Sequence, residues 1–454
     1  MAKFFKPTKQ LKSRKHASAG KQLAQFSGVA EKYDLSLKSI VSNPHSKVAF
    51  VPGLLTGETA KIKPLTYTDK VLQGQIIEII EESEKRIAPE CEHFGTCGGC
   101  QLQYLANEDQ VTEKENVLKQ LMEKQLGSIE GVWQPAITSK SWGYRRAARL
   151  ALWWTGKKKL TLGFRESKSK HIVDINSCAI LAPALEQIAL TIKPTLLELE
   201  TGQNLTHIQL FDLDDYQCAI LRATEVFSLA DQQRLIDFAV GLNVHLIVEY
   251  SDSRYDVLHQ HSAANGEQLH YSTDNVKFEF SPKDFIQVNQ AVNDQMVQQA
   301  MDWLKPTAND TVLDLFSGVG NFTLPLAKRS KQVIGVEGVS NMVKQLKHNA
   351  QLNGLTNVEA YQADLSVFDE KRPPTWLKPI DKLLLDPARD GALAVMQTIP
   401  KIKPKQILYI SCNPTTMVRD LKILLAADYQ LKKAGILNMF PNTAHMEAMV
   451  LLEK

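Results

Sequence analysis

Residues 311–322 read TVLDLFSGVGNF, an apolar run that passes through Asp314, Gly318 and Gly320 into a helical stretch. A strand that ends in such a turn presents a ligand at the carboxyl end of an α/β sheet. The two glycines let the backbone approach that ligand closely. No lysine stands ready for phosphates, and the spacing is not the G-x-G-x-x-G of pyrophosphate binders. The stretch therefore opens an α/β domain whose ligand is neither a dinucleotide nor a nucleoside triphosphate.

Outward from it, QVIGVEG (332–338), VEAYQAD (358–364), KLLLDPA (382–388) and KQILYISC (405–412) repeat the pattern, separated by helical stretches. Strand, loop and helix alternate from about residue 285 onward, which predicts a doubly wound, Rossmann-like parallel sheet. Asp314, Glu337, Asp364 and Asp386 fall at the ends of four of these strands. Any one of them could merely cap the next helix. Four around one glycine turn suit a ligand with ribose hydroxyls, an adenine amine and a cationic centre. S-adenosylmethionine has all three, whereas a pyrophosphate would be repelled by the carboxylates.

Cys412 lies in Ser411-Cys412-Asn413-Pro414-Thr415-Thr416, directly after the run ILYI. Asn-Pro breaks the strand there and leaves the thiol on the ligand-facing rim. Glu447 ends Phe440-Pro441-Asn442-Thr443-Ala444-His445-Met446-Glu447 and precedes the strand-like AMVLL, so partial burial would raise its pKa and make it a base. His445 competes for that role. Uracil methylation at C5 needs both groups, because C5 is a poor nucleophile towards a methyl sulfonium. Thiolate addition at C6 creates an enolate, and a base must later remove the C5 proton so that the thiol can leave.

Cys91, Cys97 and Cys100 form a C-x5-C-x2-C cluster that reads as a metal site lacking one ligand. Cys178, in IVDINSC, suits that place better than Cys218, which lies inside the apolar run YQCAILRA. Four thiolates hold either zinc or an iron–sulfur cluster, and His93 keeps the zinc option open.

The remaining chain is organised around these sites. Residues 1–20 form a basic arm; residues 1–21 carry seven Lys or Arg and no carboxylate precedes Glu31, which suits nucleic acid or a solubilising tail. Residues 21–83 contain short β segments (KVAFVPG, TAKIKPL, LQGQIIEII) that predict a small OB-like barrel. Residues 107–127 have helical periodicity with Gly127 as its stop, and the region from 130 to 280 reads as α+β, an antiparallel sheet with one helix at LADQQRLIDFAVG. The expected units are 1–20, 21–83, 84–283 and 284–454. No signal peptide or membrane-length apolar run is present in the sequence, so a cytoplasmic protein with reduced cysteines is expected.

With these residues assembled, the chain resembles the RNA uracil-5-methyltransferases over nearly its whole length, most closely the branch acting on 23S ribosomal RNA. The resemblance implies a TRAM domain, a central domain with a 4Fe-4S cluster, and a C-terminal methyltransferase domain that uses S-adenosylmethionine. It implies cluster ligands at Cys91, Cys97, Cys100 and Cys178. It implies cofactor contacts at Gln287 (in Phe285-Ile286-Gln287-Val288-Asn289), Phe316, Asn321, Glu337, Asp364 and Asp386. Cys412 would be the nucleophile and Glu447 the base. Two departures stand out: residues 34–53 lack the glycines usual before the VFVPG-like strand of a TRAM segment, and DPARDG replaces the common DPPR, with Asp386 and Arg389 expected to keep their roles. Phosphate contacts are expected from the arm, the barrel and Tyr144-Arg145-Arg146-Ala147-Ala148-Arg149, while Trp142 and Tyr144 suit either stacking on bases or a place in the core. The expected partner is 23S ribosomal RNA, met by a monomer without a membrane. Alternatives are a tRNA or dual-site ribosomal enzyme and a non-catalytic RNA-binding protein of the same fold.

Overall fold

The computed structural model describes residues 23–43, 48–68, 70–156, 158–367 and 374–454. The basic arm lies outside them. The chain divides into two compact units that meet at Arg86 and Ile87.

The first unit is a closed barrel, in the order β1-β2-β3-β5-β4. Its strands are β1 (Phe26–Tyr33), β2 (Ser39–Val41), β3 (Val48–Val51), β4 (Thr59–Tyr67) and β5 (Val71–Glu81). Alternation along the strands turns Phe26, Ala30, Val41, Val51, Ile62 and Leu72 inward to form its core. The small barrel read from the sequence is thus present.

The second unit begins with the cysteine segment and α1 (Asn107–Leu126). Next comes a seven-stranded sheet, in the order β12-β11-β10-β9-β6-β7-β8. It is built from β6 (Ala147–Trp154), β7 (Leu160–Arg165), β8 (Ile172–Asp174), β9 (Leu205–Asp212), β10 (Gln217–Ala223), β11 (His245–Tyr250) and β12 (Tyr255–His259), with α2 (Pro183–Glu198) and α3 (Leu229–Leu242) packed on one face. The antiparallel expectation fails at one pair. β10 and β11 run parallel, because α3 carries the chain back across the sheet between them. The helix α2 was not read from the sequence either; Pro183 opens it, and Leu185, Ile188, Ala189, Ile192 and Leu196 form its buried stripe. The hairpin of β13 (Leu269–Thr273) and β14 (Val276–Phe280) packs Tyr271, Phe278 and Phe280 with Phe211 and Ile247 of the sheet.

A second seven-stranded sheet has the order β17-β16-β15-β18-β19-β21-β20. Its strands are β15 (Thr311–Leu315), β16 (Gln332–Glu337), β17 (Val358–Gln362), β18 (Lys382–Leu385), β19 (Gln406–Ser411), β20 (Gln430–Leu437) and β21 (Glu447–Glu453). The first five are parallel, as the apolar runs imply. The sheet is not parallel throughout, because β21 runs antiparallel to β19 and β20. One face carries α4 (Gln290–Leu304) and α5 (Thr323–Ala327), while α6 (Ser340–Leu352) packs beside β16, β17 and the hairpin. The other face carries α7 (Leu393–Met396), α8 (Ile399–Ile402), α9 (Pro414–Leu425) and, through Leu118 and Met122, α1. Chain order reverses between β15 and its neighbours β16 and β18, which is where such sheets bind ligands. No described helix is long and apolar enough to cross a membrane.

Candidate active site and cysteine cavity

A cavity of about 440 Å³ opens at that reversal point. Its wall includes Gln287, Phe316, Asn321, Glu337, Asp386, Cys412 and Glu447, together with Phe285, Gly318 and Arg389. The turn after β15 is held by Val336, whose carbonyl accepts from Phe316 N (2.9 Å) and Ser317 N (3.2 Å). Phe316 sits at φ +64°, a left-handed conformation that a bulky residue adopts at a cost of about 1 kcal/mol and that is found mostly at functional turns. Gly320 sits at φ +108°, a conformation that strains any residue with a side chain, and a Cβ there would also push on Leu346 Cδ1 at 2.7 Å. Glu337 accepts from Gly318 N (3.1 Å) and Val339 N (2.9 Å). Asn321 is oriented by α4, its Nδ2 donating to Asn293 Oδ1 (2.9 Å). Two buried oxygens of this region, Gln287 Oε1 and Ser317 Oγ, have no hydrogen-bond partner among the described residues. Buried acceptors and hydroxyls are rarely left so.

Two of the four acidic strand ends stand off this wall. Asp314 is buried and accepts from Thr323 Oγ1 at 2.5 Å, so it braces the start of α5 as a cap would. Burial, and then the charges of Asp386 and Glu337, push its carboxyl up to about 7. Asp364 is exposed and accepts from Ser366 Oγ (2.6 Å) and Ser366 N (2.9 Å), which holds its carboxyl below the usual range.

Cys412 follows β19, and Asn413 caps α9 by accepting from Thr415 N (3.1 Å). Asn413 Nδ2 and Thr416 Oγ1 both donate to Arg389 O (2.8 and 3.1 Å), tying the thiol loop to the Asp386 loop. Buried Asp420 completes the brace by accepting from Tyr409 Oη and Ala392 N, each at 2.7 Å. Burial raises the Cys412 thiol, and Glu447 and Asp386 raise it further, with Arg389 opposing. Burial pushes Asp386 up to about 6. Burial, then Asp386, push Glu447 up to about 8, against the pull of Lys114. The dipoles at the start of α9 favour a thiolate, while burial, and after it the two carboxyls, favour the thiol. All three groups are therefore biased towards protonation where a cation would relieve them. His445 is absent from the cavity wall, and its ring packs against Phe440 at 5.6 Å.

The loop that carries Glu447 is fastened from outside its own sheet. Asn442 O accepts from Gln101 N (2.9 Å) and Leu102 N (3.0 Å), in the segment just past Cys100. Asn442 N donates to Gln110 Oε1 of α1 (2.8 Å), and Tyr144 Oη donates to Pro441 O (3.1 Å). Tyr144 is thus a core residue, the second of the two roles expected for it. Arg146 is also buried, donating to Gln287 O (2.9 Å) and lying over the Tyr271 ring at 4.4 Å. Of that expected basic stretch, only Arg149 is exposed, and Arg145 is half-buried.

Cys91, Cys97, Cys100 and Cys178 line a second cavity, of about 120 Å³, with Phe94, Phe164, Ile175, Ile180 and Arg145. Cys218 is elsewhere, fully buried within β10. His93 Nε2 is engaged by Asn176 Oδ1 (2.6 Å). Burial pushes Cys100 up to about 11 and Cys178 up to about 12. No group of three or more His, Cys, Asp or Glu among the described residues is arranged to hold a metal ion. The four thiols share that one cavity.

The sequence pattern of the tRNA (uracil-5-)-methyltransferase family matches residues 106–454. The 23S rRNA (uracil(1939)-C(5))-methyltransferase RlmD of Shewanella sediminis is 42% identical over 408 residues, 90% of this chain and 91% of that protein. The protein of the same name from Shewanella woodyi is 39% identical over 456 residues, 100% of both chains. Among solved structures, the Pyrococcus abyssi tRNA (uracil-54, C5)-methyltransferase in complex with S-adenosyl-L-homocysteine aligns with a TM-score of 0.71 at 22% identity, covering 94% of this chain and 99% of that one. At that identity the likeness speaks for the fold alone.

Proposed function

The chain belongs to the tRNA (uracil-5-)-methyltransferase family, and on that premise we propose that it methylates C5 of a uridine in 23S ribosomal RNA. The methyl donor is S-adenosylmethionine. One observation carries the reading: a thiol, Cys412, and a buried carboxyl, Glu447, share a cavity with a glycine turn and further carboxylates.

Bound S-adenosylmethionine supplies an electrophilic methyl group and a positive sulfonium. Gln287, Phe316, Asn321, Glu337 and Asp386 are assigned to hold it. The unpartnered Gln287 Oε1 and Ser317 Oγ fit a polar ligand, and the carboxyls held towards protonation fit a cationic one. Asp364 is assigned as well. It follows Ala363, whose N–H donates to Glu337 O (3.0 Å), so its backbone adjoins Glu337. Cys412 loses its proton to solvent, its thiolate Sγ adds to C6 of the uracil, and the resulting enolate makes C5 nucleophilic. Once C5 carries the methyl group, Glu447 takes the C5 proton, and Cys412 departs as the 5,6 double bond re-forms. The target base leaves its stack to reach the thiol.

The cysteine cavity is assigned to a 4Fe-4S cluster held by Cys91, Cys97, Cys100 and Cys178. Four thiols around one largely apolar cavity are a donor set that zinc or an iron–sulfur cluster could take, and the cluster is the reading that the resemblance to the 23S ribosomal RNA branch favours. Its role is structural, since the proposed reaction moves no electrons and the segment after Cys100 fastens the Glu447 loop. Purified protein is expected to be brown, with broad absorbance towards blue wavelengths and about four irons per chain. Cys97→Ser should lose both colour and iron; colourless wild-type protein with stoichiometric zinc would refute the cluster.

Residues 21–83 are assigned as a TRAM domain, 84–283 as the central domain and 284–454 as the methyltransferase domain. The basic arm of residues 1–20 is assigned to RNA phosphates. Arg149, His207, Arg222 and Lys283 line a pocket of about 290 Å³ together with Glu249 and Asp284, and Glu249 pairs with both Arg222 (3.5 Å) and Lys283 (3.6 Å). Exposed Arg149 is assigned to a phosphate of the strand flanking the target. A cytoplasmic monomer without a membrane partner completes the reading.

The test uses labelled S-adenosylmethionine with unmodified ribosomal RNA and tRNA in parallel, followed by nucleoside mapping. 5-Methyluridine in 23S RNA is expected. Label confined to tRNA would keep the chemistry and overturn the substrate.

A further inference from the structure

We propose that Lys114, brought by α1 to the Glu447 loop, is a positioning residue that favours the carboxylate form of Glu447, the form that accepts the C5 proton. This rests on the function proposed above and adds a residue to it.

Lys114 is 0% exposed, a place where lysine is almost never found unless paired. Its Nζ donates to two neutral oxygens, Asn438 Oδ1 (2.9 Å) and Phe440 O (3.3 Å). Both lie on the connection from β20 to β21, and Glu447 opens β21. No carboxylate among the described residues forms a contact ion pair with Lys114, yet it and Glu447 act on each other through space. A buried ammonium without a contact ion pair is costly to retain for packing alone, since a methionine would fill similar space.

The charged groups around Glu447 give it a function. Asp386, at the end of β18, opposes ionisation of Glu447, and the Cys412 thiol after β19 is coupled to it in the same sense. Arg389 acts on Cys412 and His445. Lys114 is the cation that favours the Glu447 carboxylate. Burial lowers Lys114 to about 7, and Glu447 holds it up, so the two titrate as a pair. A neutral carboxyl cannot take the C5 proton. A lysine in direct contact would occupy the oxygens that must take it. A lysine hydrogen-bonded to the loop stabilises the anion and leaves its oxygens free.

The experiment compares the full-length protein with Lys114→Met and Lys114→Gln on ribosomal RNA between pH 6 and 10. Gln keeps a hydrogen-bond donor, so it separates loss of charge from loss of the loop contact. Removing the positive charge raises the pKa of Glu447, so the acidic limb of kcat should move to higher pH in both variants. A shift of one unit lowers kcat near pH 7 roughly tenfold. KM for RNA should change little. A covalent protein–RNA adduct carrying the methyl label should build up at neutral pH and discharge as the pH is raised. A uniform fall in kcat with an unmoved acidic limb, or an unchanged profile, would overturn the proposal. Failure of wild-type protein to form 5-methyluridine would instead overturn the underlying function, and that control is read first.

Discussion

Replacing Cys412 with alanine is expected to abolish methyl transfer, by on the order of 10⁴-fold or more, while leaving the cofactor's affinity close to that of the wild type. The first half follows from the substrate's chemistry: without a covalent bond at C6, nothing converts C5 into a carbon nucleophile. Removing the lead nucleophile of a covalent mechanism costs about as much as removing the whole catalytic set. The second half follows from the cavity. The residues assigned to the cofactor (Gln287, Phe316, Asn321, Glu337 and Asp386) belong to the turn after β15, the ends of β16 and β18 and the approach to α4, and the thiol makes none of their hydrogen bonds. Calorimetric titration with S-adenosylmethionine and a labelled-methyl assay on the same preparation separate the two effects. Methyl transfer at even one hundredth of the wild-type rate in Cys412→Ala would remove the covalent step from the mechanism. Loss of cofactor binding would instead show that the variant had disturbed the loop joined through Asn413 and Arg389.

Which parts of this site can be read from the sequence follows from how each part is held. Parallel strands buried on both faces announce themselves as unbroken apolar runs, so TVLDL, QVIGVE, KLLL and QILYIS locate the sheet and its ligand edge. The direction of β11 is not written in β11; it depends on α3 crossing the sheet between β10 and β11. Asp314 and Asp386 look alike as acidic strand ends, but only the latter faces the cavity, because Thr323 takes the former. The spacing of Cys91, Cys97 and Cys100 marks a site by itself. The distinction between Cys178 and Cys218 lies in burial, with one facing the shared cavity and the other inside β10. Lys114 was the hardest to read. Between Glu113 and Glu115, in a helix of low overall hydropathy, it looks like part of a solvated face. Only the packing of α1 on α9 and β20 turns that position inward. The roles of Tyr144 and Arg146 are decided in the same way, by contacts with Pro441 and Gln287, far along the chain.

Replacing Glu447 with glutamine should stop turnover after the methyl group has been transferred. The amide fills the same buried place and can still meet a hydrogen-bond donor, but it cannot accept the C5 proton, so the adduct between Cys412 and the methylated base has no route to product. Loss of a general base lowers turnover by roughly 10²- to 10⁴-fold, and denaturing gels should show RNA joined to protein with the methyl label inside the complex. Cys412→Ala should show no such band, so the two variants place the residues on opposite sides of methyl transfer. The pH dependence gives a separate check. Burial and Asp386 hold the wild-type Glu447 carboxyl up to about 8, with Lys114 opposing. Its base form therefore grows as pH rises towards that value, and wild-type kcat should climb across the neutral range. The residual rate of Glu447→Gln should lack that climb, because the titrating group is gone. Free 5-methyluridine product at a near-wild-type rate would assign the base elsewhere, with His445 the first residue to examine. Complete absence of the adduct would mean that Glu447 is needed before methyl transfer, as the acceptor of the Cys412 proton rather than of the C5 proton.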